Sequence, residues 1–307
     1  MDNLDKDKNI KINKTNSSLL FDMLINNKDN EDNDIYNNNI NVDNDINVDV
    51  DNDINNDINN KLLKSINIFT TKFGFYIAHA LKYLFEKKNI NANIIYEINP
   101  VDPSLHIILF SQKVKIYPKN YIIYQLEQKD ISKWVDSKYE ASILLSYISW
   151  DYSQSNIDKF SDLIKRKITY VPCPLVPIQL INPKYNPNII PKNNILFYGS
   201  MNDIRRNKLR YLHKKLLPKY KIKIITNIYG DNLIKEILNS KIILNIHFYK
   251  DAILETARIN EVLSCNRIVI SELPNMIDIQ NYNLYIDKVV FVNDINDMYN
   301  KIIELLN

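Results

Sequence analysis

From Lys61 onward the chain repeats one pattern: a short apolar run, a turn, then a segment with helical spacing of apolar residues. SINIFTT leads to Gly74 and FYIAHALKYLFEKK. ANIIYEI, LHIILFS, KNYIIYQLEQ, SKYEASILLSYIS, NIDKFSDLIKRK and ITYVPCP continue the series. Continuous apolar runs of this length suit strands buried on both faces of a parallel sheet. Their alternation with helical segments predicts an α/β unit. NIDKFSDLIKRK is expected to form one helix, begun near Ser155 or Asn156.

Next comes VPCPLVPIQLINPKYNPNIIPKN, with prolines at 172, 174, 177, 183, 187 and 191. Proline is excluded from helix interiors and central strands, so the segment reads as a linker. A second series follows: NILFYGS, RRNKLRYLHKKLL, YKIKIITN, GDNLIKEILNSK, IILNIHF, RIVISE, KVVFV and the helix DINDMYNKIIELLN. In that last helix Met298, Ile302, Leu305 and Leu306 share the core-facing side. The expectation is two Rossmann-like domains facing each other across a cleft, over 61–180 and 194–307, with the linker at 181–193. Paired domains of this kind hold ligands outside the carboxyl ends of their strands.

Residues 1–60 differ. They carry 14 Asp+Glu against 5 Lys+Arg, and the remaining 247 residues carry 22 against 34. The Asn/Asp-rich stretch NNNINVDNDINVDVDNDINNDINN is too poor in apolar side chains to offset ordering entropy, and is read as a disordered tail. Asp49, Asp51 and Asp53 have calcium-loop spacing, but Ile54 stands where such a loop needs Gly and Asn60 where it needs Glu.

The basic body suits an anionic ligand. Its lysines are scattered without interleaved aromatics, which speaks against nucleic acid. Cys173 and Cys265 form no C-x-x-C pair and no disulfide framework, so a reducing, cytoplasmic setting is expected. The charged start MDNLDKDKNI is no signal peptide, and no run of 18 apolar residues would span a membrane.

With only Gly74, Gly199 and Gly230 in the chain, each marks either a turn or a close ligand approach. Gly199 ends a strand, and Arg205 and Arg206 open the helix after it. That is a phosphate-binding arrangement, or else a surface arginine pair. No G-x-G-x-x-G or Walker A sequence is present. Asn245 and His247 close the strand IILNIH. Glu255, Arg258 and Glu261 then share a helix face, as an exposed ion-pair ladder or as the polar wall of a site. Glu127 and Asp151, at strand ends in the first series, could serve as general bases; Ser153 or Asp151 could equally start a helix. His79 is assigned to packing, and His106 opens a strand.

FYGSMNDIRR, IYGDNLIKEILNSKIILNIHFY, LETARINEVLSCNRIVISE and the terminal helix, in that order, resemble the donor half of a GT-B glycosyltransferase of the group 1 type. YIIYQLEQ, SYISWDYSQSNI and ITYVPCP are similar to its other half, so the resemblance covers about 66–307. It implies transfer of a sugar from a nucleotide-sugar co-substrate to a glycan, protein or small-molecule acceptor, the donor on the second domain and the acceptor on the first. Reaction would require closure of the cleft. Glu261 matches the carboxylate that takes the donor ribose, and Arg205 or Arg206 the cation on the diphosphate. Tyr229 and Gly230 fall where the base is received. The family's first Glu falls at Ile253, and Glu255 is the nearest carboxylate. Residues 61–307 hold no Asp-x-Asp, so a site without metal or further cofactor is expected. The alternative is a non-catalytic nucleotide- or sugar-binding module derived from such an enzyme.

Overall fold

The computed structural model describes residues 65–250, 252–274 and 279–307, the side chains of 279 and 280 excepted. The expected tail over 1–60, with its aspartate spacing, lies outside the described residues.

Two parallel sheets organise the chain. The first holds six strands: β1 (Ser65–Phe69), β2 (Asn91–Ile95), β3 (Leu105–Ile108), β4 (Tyr121–Gln125), β5 (Ile148–Asp151) and β6 (Ile168–Tyr170), in the order β2-β1-β3-β4-β5-β6. The second holds five: β7 (Asn193–Tyr198), β8 (Ile222–Ile225), β9 (Ser240–Asn245), β10 (Ile268–Glu272) and β11 (Val290–Val292), in the order β11-β10-β9-β7-β8. In each, the direction of strand addition reverses once, between β1 and β3 and between β7 and β9. Such reversals open a crevice at the carboxyl ends of the strands. Central strands are covered on both faces: Ile195 and Leu196 of β7 pair with Ile242 and Ile243 of β9, and all four are buried. That is why their sequences read as unbroken apolar runs.

Helix ends follow local chemistry. Asn202 caps helix Asp203–Leu216 by accepting from Arg205 N, and Asp294 caps Ile295–Leu306, whose Met298 and Ile302 are buried. The run NIDKFSDLIKRK departs from expectation. It forms two single turns, Gln154–Ile157 and Asp162–Lys165. Ser153 caps the first through Asn156 N, and Ser161, with extended backbone at ψ 156°, starts the second. The extended backbone at Ser161, whose side chain makes no cap hydrogen bond, is where the expected single helix is interrupted.

The halves share their packing. One apolar cluster runs from Ile66 and Ile107 of the first sheet through Tyr76 and Leu81 to Leu196, Ile243, Ile259 and Val269 of the second. Helix Phe75–Glu86 packs on helix Thr256–Ser264. Within the proline-dense segment, Val176, Ile178 and Tyr185 are buried, and a short helix, Ile178–Ile181, begins directly after Pro177. Buried polar groups bridge the halves. Asn260 Nδ2 donates to Cys173 O at 2.9 Å and Pro174 O at 3.2 Å, while its Oδ1 accepts from Tyr285 OH at 2.7 Å. Gln128 Oε1 accepts from Ile253 N at 3.1 Å; within the first half, Tyr76 OH accepts from Val176 N at 2.9 Å. Much of the expected cleft is therefore filled. No helix of the described residues is long and apolar enough to cross a membrane.

Candidate functional site

One cavity between the halves measures about 230 Å³. Its first wall is Phe73, Tyr76 and Ile77, from the turn and helix after β1. The second is Tyr198–Ser200 after β7, Asn227–Tyr229 after β8, and Ala257, Arg258 and Glu261 on helix Thr256–Ser264. The cavity thus adjoins the β7/β9 crevice, where a doubly wound sheet receives its ligand.

Two arginines occupy that crevice. Arg205 is buried, and every arm of its guanidinium is engaged. Nε donates to Ile246 O at 2.8 Å, Nη1 to Ser200 O at 2.9 Å, and Nη2 meets Glu255 Oε1 at 3.5 Å. Burial and the nearby Arg258 bring its pKa down to about 10. Arg258 Nη2 donates to Tyr198 O and to Leu244 O, so one group joins the ends of β7 and β9. Its guanidinium lies 4.4 Å from the Tyr198 ring centroid. Nε is buried without a partner, and Nη1 makes no hydrogen bond among the described residues. Arg258 is therefore the cation that faces the cavity with donors to spare.

Gly199 permits this arrangement. Its φ is +129°, and a Cβ there would lie 3.1 Å from Arg258 Nη1 and 3.5 Å from Arg205 Nη1. On the same wall, Glu261 Oε2 accepts from Tyr198 OH at 2.9 Å. Burial pushes the Glu261 carboxyl up to about 7, against the opposing pull of the Tyr198 hydroxyl and Arg258. A carboxylate beside unspent guanidinium donors can take hydroxyl groups on one side while the guanidinium takes an anion on the other.

No family profile matches the chain, and no curated protein matches it. Two solved structures similar in fold are crystal structures of Anabaena Alr3699/HepE, one in complex with UDP and glucose and one with UDP. Identity is 7% in both, with TM-scores of 0.46 and 0.42. The matches cover 80% and 79% of this chain and 90% of each of those chains.

Of the residues singled out in the sequence, Gly199, Tyr229, Arg258 and Glu261 line the cavity, and Arg205 and Glu255 lie behind it. Gly230 (φ +57°) opens helix Gly230–Leu238, and a Cβ there would lie 3.5 Å from Phe75 of the other half. The ladder of Glu255, Arg258 and Glu261 does not form, because each finds a different partner. Glu255 keeps one buried oxygen, Oε2, without a partner. His247 is buried, its backbone N donating to Glu272 Oε2 at 2.9 Å, and burial lowers its pKa. Asn245 Nδ2 donates to Ser271 Oγ at 3.0 Å inside the sheet. Arg206 stays on the surface, 2.6 Å from Asp203 Oδ1.

Glu127 and Asp151 do not reach the cavity. Glu127 accepts from Gln112 Nε2 at 2.8 Å and Ser132 Oγ at 2.7 Å, and burial raises its pKa. Asp151 accepts from Ser153 N at 2.9 Å and Asn156 Nδ2 at 2.7 Å, which fixes the turn after β5. Among the described residues, no group of three or more His, Cys, Asp or Glu is placed to hold a metal ion.

Sequence reasoning missed Phe73, Tyr76 and Tyr198. Phe73 is 56% exposed, its ring centroid 4.8 Å from that of Tyr229, and Lys72 Nζ lies 4.6 Å from the Tyr229 ring. Gly74 was the available signal, since a Cβ there would lie 2.5 Å from both Phe110 and Thr70 Oγ1. The turn that presents Phe73 therefore needs glycine.

Proposed function

We propose that this protein is a glycosyltransferase that binds a nucleotide-sugar donor at the β7/β9 crevice, with no metal in the site. The observation that carries the reading is the meeting of Glu261, Tyr198 and Arg258 around Gly199 at that switch point. Glu261 would accept the ribose hydroxyls, and Arg258 would hold the diphosphate. As the sugar departs and charge grows on the leaving nucleotide, a fixed guanidinium stabilises it. Arg205 acts through position, since its donors are spent on Ile246 O and Ser200 O. Tyr229, at the mouth, offers a ring face to the base.

A second reading, a nucleotide- or sugar-binding module without turnover, is favoured by one observation. Both carboxylates suited to act as base, Glu127 and Asp151, are committed to hydrogen bonds outside the cavity. The readings part on one experiment. UDP, GDP and ADP are screened for thermal protection, and the matching nucleotide sugars for hydrolysis or transfer. Protection with turnover that disappears in Glu261→Ala supports the enzyme. Protection without turnover, merely weakened in Glu261→Ala, supports the module. Absence of protection by all three nucleotides and by their nucleotide sugars sinks the enzyme, and absence of protection by the free sugars as well sinks the module.

A further inference from the structure

The geometry points to a second binding site, a pocket for one anionic sugar ring at the carboxyl ends of β3 and β4. The pocket measures about 220 Å³ and is lined by Gln112, Tyr117, Trp134, Asp136, Lys138 and their neighbours. It does not depend on the Arg258 cavity binding a nucleotide.

Gln112 supplies the most specific feature. Its Nε2 donates to Glu127 Oε1 at 2.8 Å. A carboxylate only accepts, so the amide must turn its nitrogen that way. Gln112 Oε1 is then left buried with no partner, on a residue that lines the pocket. A buried acceptor without a donor costs stability, and a ligand hydroxyl would satisfy it. Asp136 differs in being exposed: its Oδ1 accepts from Tyr139 N at 2.9 Å, and Oδ2 makes no hydrogen bond among the described residues. One buried and one exposed acceptor can both take ring hydroxyls.

The aromatic walls fit the apolar face of the same ring. Tyr117 is held by its hydroxyl, 2.6 Å from Ser111 Oγ, and by its ring, 4.9 Å from that of Tyr121. Trp134 remains 41% exposed. Charge narrows the class further. Lys113 and Lys133 place their Nζ atoms 4.7 and 5.1 Å from the Trp134 ring centroid, and Lys138 lines the pocket. Two cations beside Trp134 and a third in the lining outnumber the one carboxylate of the lining, Asp136, and favour a ring that carries a carboxylate or similar anion. Phe110, one residue before Ser111, lies 6.4 Å from Phe73, whose ring meets Tyr229.

The test titrates the full chain with the methyl glycosides of glucuronate and galacturonate, and with methyl glucoside as the neutral control. Tryptophan emission is the readout. The chain has two tryptophans, and Trp150 is only 1% exposed, so a saturable change reports on Trp134. At least one uronate is expected to saturate in the millimolar range, with the glucoside about tenfold weaker. Gln112→Leu should weaken uronate binding about tenfold as well. Trp134→Ala, followed by calorimetry, should show a similar loss, and an exposed side chain can be truncated without unfolding the protein. Nucleotide protection should be unchanged in both variants, which separates failure here from failure at Arg258. Absence of saturation by either uronate, equal binding of the glucoside, or undiminished binding in both variants would overturn the proposal.

Discussion

The two switch points share a topology and differ in what fills them. At β1/β3 the crevice is closed by apolar contact: Gly74 sits against Phe110 and Thr70, with no charged group at the point of closest approach. At β7/β9 the same place is taken by the guanidinium groups of Arg205 and Arg258, bonded to the carbonyls of both strand ends. Topology decides where a ligand can sit, and side chains decide what sign of ligand is welcome. Only the second crevice is equipped for an anion.

The largest expected effect breaks that contrast directly. Arg258→Ala should weaken nucleotide binding about 30-fold or more, since it removes the free donors and uncaps two carbonyls. Phe110→Ala, the matching change in the first crevice, should leave nucleotide affinity within about twofold while costing about 3 kcal/mol of stability. Calorimetric titration beside denaturant melts checks both. Equal losses of affinity would erase the distinction between the crevices.

Comparable in size is Asn260→Leu, which strands Cys173 O and the Tyr285 hydroxyl and leaves Pro174 O with Tyr76 OH alone. A loss of about 2–4 kcal/mol is expected in urea unfolding, with little change in nucleotide affinity once folded. Gly199→Ala should follow. Positive φ at a residue with a side chain costs about 1–3 kcal/mol, and the new methyl would press on Arg258. Affinity should fall about tenfold if the arginine moves, and a crystal structure of the variant would show whether it does.

The smallest effect is a pH dependence. Glu261 has its carboxyl raised from the ordinary 4.5 to about 7 by burial. The folded state then holds a proton that the unfolded state has lost, so stability falls as pH rises from about 4.5 through about 7 and levels off above. Ribose hydroxyls favour the ionised form, so nucleotide affinity should rise severalfold over pH 6 to 8. Glu261→Gln should flatten both trends in pH-resolved thermal melts. A slope that persists in the variant would assign it to another group.

The parallel sheets were legible because strands such as ILFY and IIL are buried on both faces and leave a continuous apolar signature. The place of Glu261 on the cavity wall was legible through its position on the helix that follows a buried strand. The division of labour between Arg205 and Arg258 was not. Spacing puts Arg205 at a helix start, but only the fold reveals that the carbonyls of Ser200 and Ile246 consume its donors. Phe73 and Tyr76 were hidden for a related reason. They reach the cavity across the packing of helix Phe75–Glu86 on helix Thr256–Ser264, a contact between segments about 180 residues apart in sequence. The broken helix near Phe160 turned on the backbone of a single serine.

The shared apolar cluster has a kinetic consequence. Halves joined by polar, loosely packed contacts swing freely, whereas a large apolar joint resists. Opening this molecule like a jaw would wet Tyr76, Ile259 and Val262 together. Phe73, by contrast, stands exposed at the rim against the held ring of Tyr229, and an exposed side chain turns on picosecond to nanosecond scales. The rate of passage into the cavity should therefore respond to the bulk of the residue at position 73 far more than to solvent viscosity.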